Sequence, residues 1–161
     1  MESVYVETTI LSYLVAFPAR DVVIAGHQQT TLDWWTVRKN EFNCFISQVV
    51  IDEVSGGDPS EARKRLAVAD TLDLLAVTLD AEKLTESIMN SGVLPPKAIR
   101  DAAHIAVSTV HRVEYLMTWN CKHLANAQIS KRIAVICLAA GYVMPTICTP
   151  EELLEKPNDE E

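Results

Sequence analysis

Short apolar runs of strand type alternate with longer helical stretches along this 161-residue chain, and the alternation predicts an α/β fold. The expected architecture has three layers, with a mainly parallel sheet of about five strands sandwiched between helices. Three observations carry it: apolar runs too short to be helices, helical stretches between them, and turn or capping residues where one gives way to the next.

In chain order, Val4–Val6 is the first strand. Asp21 to Lys39 has helical length and contains Leu32, Trp34, Trp35 and Val37 with little to break it. Phe42 to Ser47 is the second strand and leads into a helical segment, Gln48 to Val54. Gly56-Gly57-Asp58-Pro59 ends that segment, and Ser60 to Thr71 reads as a helix opened just after a proline. Leu72 to Val77 is the third strand. Thr78 or Asp80 can cap a helix that runs to Asn90 and stops at Gly92. Pro95-Pro96 opens a helix from Lys97 to Val113, since proline is tolerated in a first turn. Tyr115 to Trp119 is the fourth strand. A helix from Lys122 to Gly141, a fifth strand at Thr146 to Cys148 and a short helix from Pro150 complete the pattern.

Length and composition fit one ordinary domain, read as residues 1–155, with an acidic tail at 156–161 that ends in Asp159, Glu160 and Glu161. Hydrophobic residues make up 48% and charged residues 22%, near the norm for a globular chain. Lys plus Arg number 14 against 22 Asp plus Glu, a formal net charge of −8, which argues against a duplex-groove binder and suits metal binding. The one basic cluster, Arg63-Lys64-Arg65, reads as an exposed helix face. Cysteines 44, 121, 137 and 148 show no C-x-x-C spacing, so no zinc or redox motif is indicated, and Cys44 and Cys137 read as buried small hydrophobes. No signal peptide and no membrane-length apolar stretch is visible, so a cytoplasmic protein is expected.

Sheets of this kind place their sites at the carboxyl ends of strands, near a switch point in strand order. Glu7 follows Val4-Tyr5-Val6 directly, and Asn120 follows Tyr115 to Trp119 directly. Two further acids interrupt apolar helical patterns: Glu53 among Val49, Val50, Ile51 and Val54, and Asp101 before Ala102-Ala103. A carboxylate there is costly unless it is paired or holds a metal. Each of the four also has an ordinary reading. Glu7 could cap a helix beginning at Thr8-Thr9, although either threonine should cap better. Asp101 suits a helix dipole, Glu53 could face solvent, and Asn120 could begin a turn. Their joint placement around one sheet edge raises the functional case, and carboxylate and amide oxygens favour Mg²⁺ or Mn²⁺. Such ions serve phosphodiester hydrolysis and would offset the acids' repulsion of a polyanion. His104, on the face of Asp101, could touch the site or be a core histidine, while His123 and Lys122 could contact phosphate or be loop residues. Trp34, Trp35 and Trp119 could stack bases or be core. No G-x-G-x-x-G, P-loop or nucleophile elbow occurs.

With these residues in place, the chain resembles the PIN-domain family, and within it the VapC-type toxins of toxin–antitoxin pairs. Tyr5-Val6-Glu7-Thr8-Thr9-Ile10-Leu11-Ser12-Tyr13 is similar to the family's strand followed by D-T-N. Ser47 to Val54 resembles the second motif, whose helical glutamate is a metal ligand. Asp101-Ala102-Ala103-His104-Ile105-Ala106 resembles the third, and Leu116-Met117-Thr118-Trp119-Asn120 the fourth, a strand leading to T-x-D. The blocks stand in the family's order. Glu7 replaces the usual aspartate, Thr9 the asparagine and Asn120 the fourth acid. The resemblance implies a Mg²⁺- or Mn²⁺-dependent endoribonuclease with Glu7, Glu53, Asp101 and Asn120 as catalytic and metal-binding residues. It further implies an RNA substrate, a cognate antitoxin and a homodimer. The Glu7 and Asn120 departures motivate the alternative, a catalytically impaired PIN-fold metal- or RNA-binding regulatory module.

Overall fold

A computed structural model describes residues 1–157 of the protein. Most of the acidic tail expected at 156–161 lies outside the described residues. Lys156, which the sequence places in that tail, is tied to Glu41 at 2.6 Å.

Five strands form one parallel sheet: β1 (Ser3–Val6), β2 (Asn43–Ser47), β3 (Asp73–Leu75), β4 (Tyr115–Met117) and β5 (Thr146–Cys148). Seven α-helices occur among the described residues: α1 (Thr8–Val15), α2 (Val22–Val37), α3 (Gln48–Val54), α4 (Pro59–Ala69), α5 (Leu79–Asn90), α6 (Ile99–Val110) and α7 (Ala127–Ala139). The three-layer α/β/α arrangement expected from the sequence is the one observed. Strand order is β3-β2-β1-β4-β5. The chain builds outward from β1 to one side, then returns to build on its other side, so strand order reverses at the β1/β4 pair.

Register sets what meets at that reversal. Tyr5 pairs with Leu116 and Val6 with Met117, so the next residues, Glu7 and Thr118, stand side by side where the strands end. The amide of Glu7 donates to the carbonyl of Met117 at 3.1 Å and closes the ladder. On the other side β1 pairs with β2 through Tyr5 and Phe45. The strand centre is Val4, Tyr5 and Val6, all fully buried, packed with Ile46, Leu116, Met117, Trp34 and Ile105. A strand covered on both faces reads as continuously apolar rather than alternating.

Capping follows the sequence in most places. Asp21, Ser47, Asp58 and Thr78 accept from first-turn amides of α2, α3, α4 and α5. Gly92 and Gly141, with φ of 75° and 92°, end α5 and α7 as expected. Elsewhere the structure corrects the sequence reading. The helix expected from Lys122 starts only at Ala127, because Asn120 Oδ1 accepts from the amides of Lys122 (3.2 Å) and His123 (3.1 Å) and folds those residues into a turn. Asn126 then caps α7. The helix expected from Lys97 opens as a 3-10 turn, Pro96–Ala98, before α6. Cys137 is buried as expected; Cys44 is only half-buried, and all four cysteines are free. No helix among the described residues is long and apolar enough to cross a membrane.

Candidate metal centre

Glu7 ends β1 and is 3% exposed, an expensive place for a carboxylate. It also caps α1, against the expectation that Thr8 or Thr9 would do so. Its Oε1 accepts from the Thr9 amide (3.2 Å), the Thr9 hydroxyl (2.5 Å) and the Thr118 hydroxyl (2.6 Å). Burial dominates its titration and lifts its pKa above the ordinary carboxylate range, against the pull of His104, Thr118 and Thr9.

Glu53 comes from α3 on the β2 side. Its Oε1 accepts from the Thr8 hydroxyl (2.8 Å) and faces His104 Nε2 at 2.5 Å. The adjacent threonines that open α1 therefore serve different carboxylates, Thr8 holding Glu53 and Thr9 holding Glu7. Burial pushes the Glu53 acid up. The hydrogen bond and charge of His104, the Thr8 hydroxyl and the charge of Arg100 outweigh it and leave the pKa lowered. His104 is fully buried and both readings of it hold: its Nδ1 lies 2.7 Å from the Tyr5 hydroxyl, which lies 2.7 Å from Ser47 Oγ. An ionised Glu53 only accepts, so His104 Nε2 carries the hydrogen and donates it. Both ring nitrogens are thereby committed, which makes His104 the residue that orients Glu53.

Asp101 projects from the first turn of α6. Its Oδ2 faces His123 Nδ1 at 3.2 Å. Its acid is raised, first by burial and also by the charge of Glu53, while His104 and His123 pull the other way. Asn120 stands at the same rim, but its Oδ1 is occupied by the two loop amides. Ligand-type atoms of Glu7, Glu53 and His104 lie within 4.8 Å of one another; Asp101 is not one of this group, though the charges of Glu53 and His104 act on its acid.

One arrangement repeats at all three carboxylates. Glu7 Oε1, Glu53 Oε1 and Asp101 Oδ2 are held by protein donors, while Glu7 Oε2, Glu53 Oε2 and Asp101 Oδ1 accept from none of the described residues. Hard, partly buried oxygens with their partner oxygens fixed are a fit donor set for a small divalent cation. The sequence reading missed Thr8, Thr9, Thr118, Tyr5 and Ser47. Only the threonine pair directly after a strand-ending acid offered a signal. A cavity of about 660 Å³ lies elsewhere, lined by Glu2, Arg112, Tyr115, Tyr142 and their neighbours.

Two solved structures share this architecture. One is VapBC2 from Rickettsia felis bound to a DNA fragment from its promoter. It is 14% identical with a TM-score of 0.59, covering 91% of this chain and 97% of that one. The other is VapC20 from Mycobacterium tuberculosis, a toxin that cleaves the sarcin–ricin loop. It is 17% identical with a TM-score of 0.54, covering 89% of this chain and all of that one. The fold is that of the VapC toxins. No family model and no curated protein matches the chain.

Proposed function

We propose that the protein is a divalent-metal-dependent endoribonuclease of the VapC type, with residues 1–155 as its one catalytic unit. The observation that carries this reading is the repeated half-held carboxylate: Glu7, Glu53 and Asp101, from three elements, each keep one oxygen free at the β1/β4 reversal. In this reading Glu7, Glu53 and Asp101 hold Mg²⁺ or Mn²⁺. A bound ion would activate water and offset negative charge on the phosphodiester. Thr8, Thr9, Thr118 and His104 fix the ligands before any ion arrives, so little ordering is left to binding. Asn120 reaches a second ion or a water only through what its oxygen has left, and its main task is to hold the loop that sets His123 against Asp101. Arg100, exposed and close enough for its charge to act on Glu53, would meet phosphate, and the exposed Lys122 of the Asn120 loop is a second candidate. The VapBC2 neighbour supports a cognate antitoxin as partner, and the sequence features and the family resemblance they carry lead us to propose a cytoplasmic homodimer.

The test is purified protein with a structured RNA and Mn²⁺. Cleavage is expected, and Asp101→Asn should reduce it at least about 100-fold, as removal of a ligand from a preorganised site does. Undiminished cleavage in Asp101→Asn would overturn the reading. Asn120's commitment to its own loop favours a second reading, a PIN-fold regulatory module that binds metal without cutting. Saturable Mn²⁺ binding by calorimetry, lost in Glu53→Ala, together with intact RNA, would select it.

A further inference from the structure

Beside the carboxylates three aromatic rings lie nearly parallel. His27 of α2 stacks on Trp119 with centroids 4.0 Å apart and planes 10° apart. Tyr13 of α1 is 6.5 Å from His27 at 19° and 6.3 Å from Trp119 at 22°. The array adjoins the centre directly: the Trp119 amide donates to Thr9 Oγ1 at 2.9 Å, and that hydroxyl donates to Glu7.

The array is also built firmly. The Trp119 indole donates to Thr31 Oγ1 at 2.7 Å, and Thr31 donates to the carbonyl of His27 at 2.7 Å, so strand end and helix are tied through one buried hydroxyl. Gln28 accepts from the Ala19 amide at 2.9 Å and donates to the Phe17 carbonyl at 3.1 Å, which fixes α2 to the turn after α1. Trp119 is buried, but His27 and Tyr13 are only half-buried. Among the described residues neither ring nitrogen of His27 has a partner. Packing α1 on α2 needs no flat rings; aliphatic side chains would bury as well. Near-parallel rings, two of which reach solvent, are what a nucleobase would stack on.

We propose that Tyr13, His27 and Trp119 form a nucleobase-stacking platform for an unpaired base next to the phosphodiester held at the carboxylates. That RNA supplies the base rests on the nuclease reading; that a base stacks here does not. The inference answers a problem set by charge. A net charge of −8 gives little overall attraction for phosphates, whereas stacking does not depend on net charge. A base inside a duplex has no free face, so only an unpaired base can use the platform.

AMP and ribose 5-phosphate separate the contributions, since they share a phosphate and neither contains a phosphodiester to cut. In Mg²⁺ buffer, NMR titration should show AMP shifting the Trp119 indole and His27 ring signals. AMP should bind at least about fivefold more tightly than ribose 5-phosphate, the lower end of one base–aromatic stack. His27→Ala should abolish that preference and His27→Phe, which keeps a flat ring, should retain it. Equal affinity for the two ligands in the unaltered protein, or undiminished preference in His27→Ala, would overturn the platform. RNA cleavage alongside equal affinity removes the platform alone. A base preference in a protein that never cuts RNA removes the nuclease reading and leaves the platform standing.

Discussion

At the scale of single residues, Glu7 shows a site's demands working against the fold. Its raised acid, caused first by burial, means that the ionised form is disfavoured in the folded chain. The sign follows: such a group contributes stability that is fully present below its unfolded pKa and is lost as pH rises through the raised folded value. Glu7→Gln keeps an oxygen for Thr9 and Thr118 but removes the charge. In EDTA at neutral pH the variant is expected to melt higher than the parent, by about 2–4 °C for each kcal/mol recovered in a chain of this size. The gap should close toward acidic pH. A variant that melts lower than the parent across this range would show that the charge is already compensated. The acids themselves were legible in the sequence because each interrupts an apolar pattern. Their holders were not. A threonine hydroxyl at a strand end is unremarkable until register places Thr118 beside Glu7, and the Thr8/Thr9 division of labour depends on how α3 and β4 converge on α1.

At the scale of elements, strands and helices were legible where period and caps agree, as at α3, α5 and β5. They were not legible where a polar side chain redirects the chain locally. Asn120 is the instance: expected directly after the fourth strand, it stands three residues beyond the end of β4 at Met117, and its side chain binds the loop's own amides and delays α7 to Ala127. Asn120→Ala should therefore cost about 1 kcal/mol, the loss of a capping-type interaction, and should loosen His123 from Asp101, visible as broadened His123 NMR signals. Unchanged His123 signals would remove Asn120 from the centre's support. The end of α6 offers the opposite case. Arg112 takes φ of 57°, and the amides of Arg112 and Val113 donate to Thr109 and Ser108, a helix stop that elsewhere in this chain falls to glycine. Arg112→Gly should raise stability by up to about 1 kcal/mol, the left-handed strain less the added unfolded-state entropy. Urea denaturation checks it, and a loss of stability would mean that the Arg112 side chain contributes more at its cavity rim than the strain costs.

At the scale of the whole molecule, the proposed metal centre would make stability a function of bound cation, in a chain whose net charge is −8. An ion that binds only the folded chain stabilises it by about 2.7 kcal/mol at a free concentration 100 times its dissociation constant. At 2–4 °C per kcal/mol that is a rise in melting temperature of about 5–10 °C. Glu7 and Asp101 must lose their protons to bind, and both are held above the ordinary carboxylate range. The Mn²⁺-induced rise should therefore shrink as pH falls through those raised values, even though metal-free stability gains from the same protonation. Glu53, with its acid lowered, stays ionised through that window and cannot produce the effect. Thermal melts with Mn²⁺ and with EDTA across mildly acidic to neutral pH measure both trends at once. In Glu7→Gln the Mn²⁺-induced rise should fall away at every pH. A rise that is independent of pH, or that survives Glu7→Gln intact, would place the cation elsewhere on the acidic surface and separate the buried carboxylates from metal binding.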